Sequence, residues 1–226
     1  MKLILSILIS FTLLLSSSKD RYLQAMTKGV SQVNTLDFNI ENKSEIIKTS
    51  NLFYRIYEAD QTNWLPCYYY SFINVKLSFL EEDLDLKDEY LDNSLALLES
   101  SESFFLYKDN EIEKLAQSEL LTLYGMIMTA KIFIDPMSRG RKYGTMSQEY
   151  LDKAEQLNPK NPRPYLIKGQ SKFYTPAAFG GGADKALPLL EKSLNCFKEF
   201  EVINYWPEWG QDDCQFLYDK ALNDSK

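Results

Sequence analysis

The sequence predicts an all-α protein made of stacked helix pairs, and two observations favour this fold. The first is internal repetition, because three blocks share the order apolar, apolar, acidic, polar, small: Tyr90–Ser94, Tyr150–Ala154 and Leu189–Ser193. The blocks begin 60 and 39 residues apart, and repetition on this scale is typical of stacked helix pairs. The second is that apolar residues recur with helical period beyond the N-terminus, whereas no segment alternates as a strand does.

Helical periodicity gives the elements in order, and helix-breaking residues separate them. The expected helices cover about residues 20–33, 43–60, 64–80, 87–98, 110–134, 146–157, 162–174, 184–200 and 211–222. Pro136 ends the fifth, and Pro159 and Pro162 separate the sixth from the seventh, since proline lacks an N–H donor and restricts its predecessor. Gly180–Gly182 forms a turn before the eighth, which Asp184 can cap. We expect three or four pairs in one domain, residues 19–226, closed by a C-terminal helix.

Two helices have the residue spacing of the second helix of a tetratricopeptide repeat. The pattern is small, bulky, small, with a later proline: Ser147, Leu151, Ala154 and Pro159 in one helix, and Ala186, Leu190 and Ser193, without the proline, in another. A weaker copy has Lys87 at the first small position, followed by Leu91 and Ser94. In that family the small residues admit a neighbouring helix and the bulky one fills the gap.

The preceding helices support the same resemblance. The family has a bulky residue four positions before a small one, as in Leu121–Gly125 and Tyr165–Gly169. Trp64 precedes Tyr68 at that distance, and Tyr68 is not small, so this repeat departs from the pattern.

The chain as a whole resembles a group of exported tetratricopeptide-like proteins of Bacteroidetes-type bacteria, to which no activity is assigned. The segments that carry the resemblance are Asn63–Tyr70, Pro136–Gly140, Asn158–Arg163, Phe173–Pro176, Phe179–Gly182 and Pro207–Gly210. The resemblance implies an α-solenoid with long loops inside its repeats, at residues 135–145 and 175–182. A more distant similarity, to periplasmic repeat proteins of TRAP-type transporters, rests on the Phe-Gly-Gly turn before an Ala-rich helix.

Composition excludes several function classes. The 226 residues include no histidine, which removes histidine-dependent nucleophiles, histidine-ligated metals and imidazole acid–base chemistry. The net charge of −7 disfavours nucleic-acid binding, because an acidic surface repels phosphates. We therefore expect no enzyme, no cofactor and no metal site.

The N-terminus predicts a secretory signal peptide over residues 1–18. Lys2 supplies the positive charge, the apolar run Leu3–Leu15 is too short to span a bilayer comfortably, and Ser16–Ser18 supplies small residues for cleavage. An uncleaved anchor is the alternative. Cleavage predicts a periplasmic or secreted protein with no stable membrane insertion.

Three cysteines occur, Cys67, Cys196 and Cys214. The odd number leaves at least one thiol outside any internal pair. We interpret all three as small buried apolar side chains, the alternative being a bridge between Cys196 and Cys214.

The repeat fold predicts a non-catalytic scaffold that binds a peptide or protein partner in its concave groove. In such stacks the first helix of each pair lines the groove, which gives the following candidate contacts: Tyr68, Tyr69, Asn74, Thr122, Met126, Lys168 and Lys172, with Arg139 and Arg141 reaching in from a loop. The alternative function is a small-solute-binding protein associated with a transporter, suggested by the aromatic content and the basic loop.

Two segments, residues 136–144 and Trp206–Gly210, each allow a functional and a structural interpretation. The arginines of residues 136–144 either clamp an acidic ligand or pair with the chain's own acids. Trp206–Gly210 either frames a pocket or fastens the last helix to the stack, and we favour the second.

Overall fold

The computed structural model describes residues 2–101 and 110–225, with the backbone alone for residues 2–18 and 101, and over these ranges all regular structure is helical. The helices are α1 (Lys2–Thr35), α2 (Lys43–Ala59), α3 (Leu65–Leu80), α4 (Leu84–Ser101), α5 (Glu111–Ile132), α6 (Pro136–Leu157), α7 (Pro162–Tyr174), α8 (Ala183–Lys198) and α9 (Gln211–Asp224). The predicted all-α class is confirmed. The predicted signal peptide falls on Met1, which is outside the described residues, and on the N-terminal part of α1, so it stays a prediction.

The helices form consecutive pairs, α1–α2, α3–α4, α5–α6 and α7–α8. The odd-numbered helices also contact each other in order, α3 with α5, α5 with α7 and α7 with α9. Pairs laid side by side in this way form the predicted helical-repeat solenoid, and α9 closes it by packing against α8 and α7.

Glycines permit the close approach of the two helices in three of these pairs. A Cβ atom at Gly125 of α5 would lie 2.7 Å from Leu151 Cγ, and one at Gly169 of α7 would lie 2.7 Å from Leu190 Cδ2. Both contacts join the small and bulky positions expected from the repeat pattern. The first pair uses the same device, with Gly29 packed against the ring of Phe53.

The α3–α4 pair follows the same plan in a different register from the one expected. Ser71 Oγ donates to the carbonyl of Ser94 at 3.4 Å, as Ser118 Oγ donates to the carbonyl of Ala154 at 2.8 Å in the next pair. Gly125, which permits the close approach, lies seven residues after Ser118. The buried Ser78 lies seven residues after Ser71 and so takes the equivalent position. The predicted alignment of this repeat, with Tyr68 at the small position, therefore has a different register from the structure, in which Ser78 takes that position.

The first predicted loop, residues 135–145, is helical instead. Pro136 occupies the first turn of α6. Backbone N–H groups in a first turn have no acceptor within the helix, so the N–H that proline lacks is not needed there. The side chain of Asp135 caps this turn by accepting from the backbone N–H of Ser138 at 3.2 Å. The extra length of this repeat is thus added helix. The second predicted loop, residues 175–182, contains only the short 3₁₀ turn Ala177–Phe179.

The three cysteines are buried and form no disulfide, which agrees with the interpretation as small apolar side chains. Cys214 packs where its thiol donates to the carbonyl of Leu190 at 3.5 Å, and the chain's last two helices meet there without a disulfide.

We expect Gly125→Ala to destabilise the protein by about 1–3 kcal/mol, because the added methyl group overpacks the contact with Leu151. The matched control is Gly140→Ala in α6, where a Cβ meets nothing within 4 Å and the gain in helix propensity stabilises by up to about 1 kcal/mol. Urea denaturation measures both. Equal effects of the two changes would contradict the role of Gly125.

Candidate functional site

Most of the residues expected to line a groove are buried in the core. Six of the nine residues are at most 7 % exposed: Tyr68, Tyr69, Asn74, Thr122, Met126 and Lys168. As placed, they do not form an open surface for a partner. Whether any of the nine binds a ligand stays a prediction.

The face of the odd-numbered helices is covered by the connection between α8 and α9, residues 199–210, which we call the crossing segment. Tyr69 of α3 donates its hydroxyl to the carbonyl of Tyr205 at 2.9 Å. The Tyr205 hydroxyl lies 3.0 Å from Thr27 Oγ1 of α1. Glu208 accepts from the side chain of Asn34, also in α1, at 3.4 Å. The expected groove is therefore occupied by the chain itself.

The two tryptophans of the crossing segment fasten it to α3. Trp206 packs edge-on against Trp64 with ring centroids 5.0 Å apart, and Trp209 stacks on Phe72, also at 5.0 Å. Trp209 Nε1 donates to the Tyr68 hydroxyl at 2.9 Å. These contacts are those of the latch favoured from the sequence.

Arg163, at the start of α7, joins the crossing segment to the stack. Its side chain is fully buried and its NH1 group donates to Glu119 Oε1 of α5 at 2.9 Å. Its Nε donates to the carbonyl of Trp209 at 3.1 Å, and NH2 donates to the carbonyl of Pro207. A buried cation is tolerated only when its donors are paired, and here one carboxylate and two carbonyls pair them.

The carboxyl group of Glu119 experiences opposing effects. Its burial raises its pKa above the ordinary value, while the charge of Arg163 and hydrogen bonds from Arg163, Tyr68 and Asn161 lower it. Tyr68 itself is kept protonated, because burial raises the pKa of its hydroxyl well above the ordinary value. These shifts belong to a sealed structural network, since all of its side chains are enclosed.

In the predicted loop, Arg139 pairs with an acid of the chain itself. Arg139 makes a bidentate bond to Asp88, with distances of 2.8 and 2.6 Å, and Lys131 bridges Asp88 to Asp92. Arg141 is exposed on α6. Arg139 therefore follows the structural interpretation, in which the loop arginines pair with the chain's own acids.

The remaining two candidates lie on α7. Lys168 is held between Asp152 and Glu155 of α6, each at 2.5 Å. The two carboxylates line an acidic depression of about 400 Å³. Lys172 donates to the carbonyl of Gly180 at 3.3 Å and so supports the turn before α8.

An open cleft of about 520 Å³ lies on the side of the even-numbered helices, between α2, α3 and α4. Its lining residues are three tyrosines, two asparagines and three small or apolar residues: Tyr54, Tyr57, Tyr70, Asn51, Asn93, Ala96, Leu97 and Ser100. Seven of the eight belong to α2 or α4, and only Tyr70 comes from α3. We call this the tyrosine cleft.

The tyrosine cleft has ordered aromatic walls. Tyr54 of α2 and Tyr70 of α3 face each other with ring centroids 5.5 Å apart and a tilt of 46°. Tyr57 lies deeper, and its hydroxyl is 2.9 Å from Ser100 Oγ. Tyr54 is 41 % exposed, so an aromatic face is available to a ligand that enters from solvent.

Sequence reasoning chose Tyr68 and Tyr69 and passed over Tyr70. Consecutive helical residues point about 100° apart, so the three side chains divide between the crossing segment, the core and the tyrosine cleft. The available signal was on α2, where Asn51, Tyr54 and Tyr57 recur at helical steps on one side of the helix.

Comparison with solved structures finds the HusA haemophore from Porphyromonas gingivalis, with a TM-score of 0.75 and 29% sequence identity. The alignment covers 91% of this chain and 94% of that chain. No protein-family profile matches the chain, and a search of curated proteins finds no match. Membership of the tetratricopeptide family therefore stays a prediction.

The similarity agrees with the predicted likeness to a helical protein of Bacteroidetes-type bacteria, and it supports a binding role. Among the described residues, no helix has the combination of length and apolarity needed to cross a bilayer.

We expect Arg163→Leu to destabilise the protein by about 3–5 kcal/mol, because it leaves the Glu119 carboxylate buried without its cation. Loss of the arginine raises the pKa of Glu119 further, and a raised carboxyl pKa stabilises the fold only at low pH. The deficit relative to the unmodified protein should therefore grow as the pH rises through the folded-state pKa of Glu119 in that protein, which lies above the ordinary value of a glutamate.

Denaturation of this variant as a function of pH tests the expectation. The double change Arg163→Leu with Glu119→Leu should recover part of the loss, and Lys48→Ala, which removes an exposed pair with Glu45, should cost less than about 1 kcal/mol. A deficit that does not vary with pH would show that Glu119 is not left charged and unpaired.

Proposed function

We propose that the protein is a non-catalytic binding protein for a flat, largely apolar tetrapyrrole of the haem class, and that the tyrosine cleft is its site. The observation that carries the proposal is the open cleft of about 520 Å³ with three tyrosines in its walls. The similarity to a haemophore, over 94% of that protein's chain, supports the choice of ligand class.

The chemistry of the tyrosine cleft fits such a ligand. Its volume lies within the range of about 300–1,000 Å³ usual for small-molecule sites. The rings of Tyr54 and Tyr70 offer faces for stacking on a macrocycle, and Leu97 and Ala96 add apolar contact. Asn51 of α2 and Asn93 of α4 supply amide donors, which suit the carboxylates that a haem carries.

Histidine is absent from the chain, so a bound haem is held without an imidazole ligand. Stacking, apolar contact and oxygen donors must then provide the affinity. The same absence supports a non-catalytic role, as does the complete burial of Glu119, whose pKa is raised by that burial, together with Arg163. Export through the predicted signal peptide belongs to this proposal, as does the suggested association with a transporter.

A peptide or protein partner on the odd-numbered face is the second candidate. One observation favours it: Tyr205 holds a left-handed backbone conformation, with φ of 65°, which is costly for a residue with a bulky side chain. The crossing segment thus stores strain that its release would relieve, and release would uncover Tyr69 and its neighbours.

Hydrogen exchange tests this second candidate. A partner can enter only if the crossing segment opens locally, so its protected amides, such as that of Trp206, should exchange faster than those in the centre of α7. Exchange of both groups only through global unfolding would exclude a displaceable segment.

The tyrosine cleft predicts two effects on the titration of the protein with ferric haem and with iron-free protoporphyrin. Tyr54→Ala should weaken the binding of both by about tenfold, which corresponds to about 1.4 kcal/mol, because it removes one stacking wall. Ala96→Trp should weaken both more strongly, because the indole fills the cleft from an exposed helix position.

The matched control is Tyr174→Ala, which removes another exposed tyrosine, 57 % exposed, from α7 and should leave both affinities unchanged. Absence of porphyrin binding by the unmodified protein would refute the proposed function. Equal affinity of the Ala96→Trp variant and the unmodified protein would refute the location.

A further inference from the structure

Two adjacent helix pairs present exposed apolar side chains at one end of the stack, where α3 and α5 end and α4 and α6 begin. The rings of Phe79, near the end of α3, and Phe133, directly after α5, meet edge to face with centroids 5.6 Å apart. Phe79, Leu84, Phe133 and Met137 nevertheless remain 52, 50, 55 and 96 % exposed. We call these four residues the apolar tip. Single exposed apolar side chains are normal, whereas a contiguous cluster marks an interaction surface.

The start of α6 carries Met137 outwards beyond the neighbouring helix. A Cβ atom at Gly144 of α6 would lie 3.9 Å from Cδ1 of Ile132, the last residue of α5. About two turns of α6 therefore extend past the end of α5. The bidentate bond of Arg139 to Asp88 ties this extension to α4. The apolar tip is thus held in one shape before any partner binds, which lowers the entropic cost of association.

Opposite charges border the apolar tip on its two sides. Besides Arg139 and Asp88, which pair with each other, the bordering residues are Glu82, Asp83, Asp85, Lys87 and Glu89 on the α4 side and Asp135, Arg141 and Lys142 on the α6 side. The α4 side has four acids and one base, so it is acidic. The α6 side has two bases and one acid, so it is basic.

We propose that the apolar tip is the interface of a homodimer whose two-fold axis passes through the contact of Phe79 with Phe133. Phe79 of one copy then faces Phe133 of the other, and the acidic side of each copy faces the basic side of its partner. A surface that meets itself across a two-fold axis must be self-complementary, and the opposite charges supply this property. A partner surface of one uniform charge would be attracted by one side and repelled by the other.

The charged borders are needed to complete the interface. Specific interfaces bury about 800 Å² on each partner, so the borders must close around the apolar tip as a polar rim. We therefore expect a reversible dimer at the small end of specific interfaces. Added salt should weaken it, because screening reduces the attraction between the opposite charges.

Dimer formation leaves the tyrosine cleft open. Asn93, the lining residue of α4 nearest to the start of that helix, lies nine residues after Leu84, which is about 13 Å along the helix. The dimer interface and the proposed porphyrin site are therefore separate, and either proposal can fail without the other.

Sedimentation velocity over a series of protein concentrations tests the interface. The proportion of dimer in the unmodified protein should rise with concentration. Met137→Glu should weaken the association by at least about tenfold, because it places a charge at the centre of the interface. Met137 is 96 % exposed, so this change should leave the monomer folded, as circular dichroism can check. The matched control is Phe216→Ser, which removes an exposed ring from α9, 68 % exposed, and should leave the association unchanged.

Charge reversal tests the arrangement of the two copies. Arg141→Glu with Lys142→Glu makes both sides of the tip acidic, whereas Glu82→Lys with Asp85→Lys makes both sides basic. Each double variant alone should be monomeric, because like charges then face each other across the axis. An equimolar mixture of the two variants should form a mixed dimer. If each variant is monomeric and the mixture also fails to associate, the proposed arrangement is wrong.

Three further results would overturn the homodimer. A protein that stays monomeric at about 1 mM lacks even a weak specific interface. Association that persists in Met137→Glu and in both charge-reversed variants belongs to another surface, such as the apolar run Leu3–Leu15. A monomer that floats with phosphatidylglycerol vesicles, and loses this property in Met137→Glu, uses the apolar tip to contact lipid and not a second copy.

Discussion

The buried guanidinium group of Arg163 is the constraint on which the closure of the odd-numbered face depends. Its donors need three acceptors, and these come from Glu119 of α5 and from two carbonyls of the crossing segment. Because an unpaired buried cation costs several kcal/mol, α5, α7 and the crossing segment must be in place together. One side chain thus fixes two helix pairs and the connection that covers them.

This closure leaves the proposed binding site on the other side of the stack. Among the described residues, an open concave surface with aromatic walls lies between α2 and α4, and α3 contributes Tyr70 to its lining. The tyrosines of α3 divide accordingly, because Tyr68 and Tyr69 bind the latch and the core whereas Tyr70 faces the cleft. A repeat scaffold can therefore offer a small-molecule site where a peptide groove is expected.

The sequence predicted those parts of the fold that depend on local patterns. Helical period and prolines gave α7 to the residue, and the small–bulky spacing identified the contacts of Gly125 with Leu151 and of Gly169 with Leu190. The predicted start of α6 is wrong, because proline is favoured in a first helical turn and Pro136 begins this helix.

The covering of the odd-numbered face could not be predicted from local sequence patterns, because it depends on contacts between distant parts of the chain. The contacts that cover the odd-numbered face join residues 136 and 141 positions apart, Tyr69 with Tyr205 and Tyr68 with Trp209, and no periodicity reports such pairs. The hydrogen bond from Ser50 of α2 to Asn74 of α3 likewise becomes visible only when the two helices are packed. NMR titration of the protein with iron-free protoporphyrin tests the placement of the site most directly. Shifts concentrated on Asn51, Tyr54 and Tyr70 are predicted, and shifts concentrated on Tyr69, Tyr205 and Trp209 would contradict it.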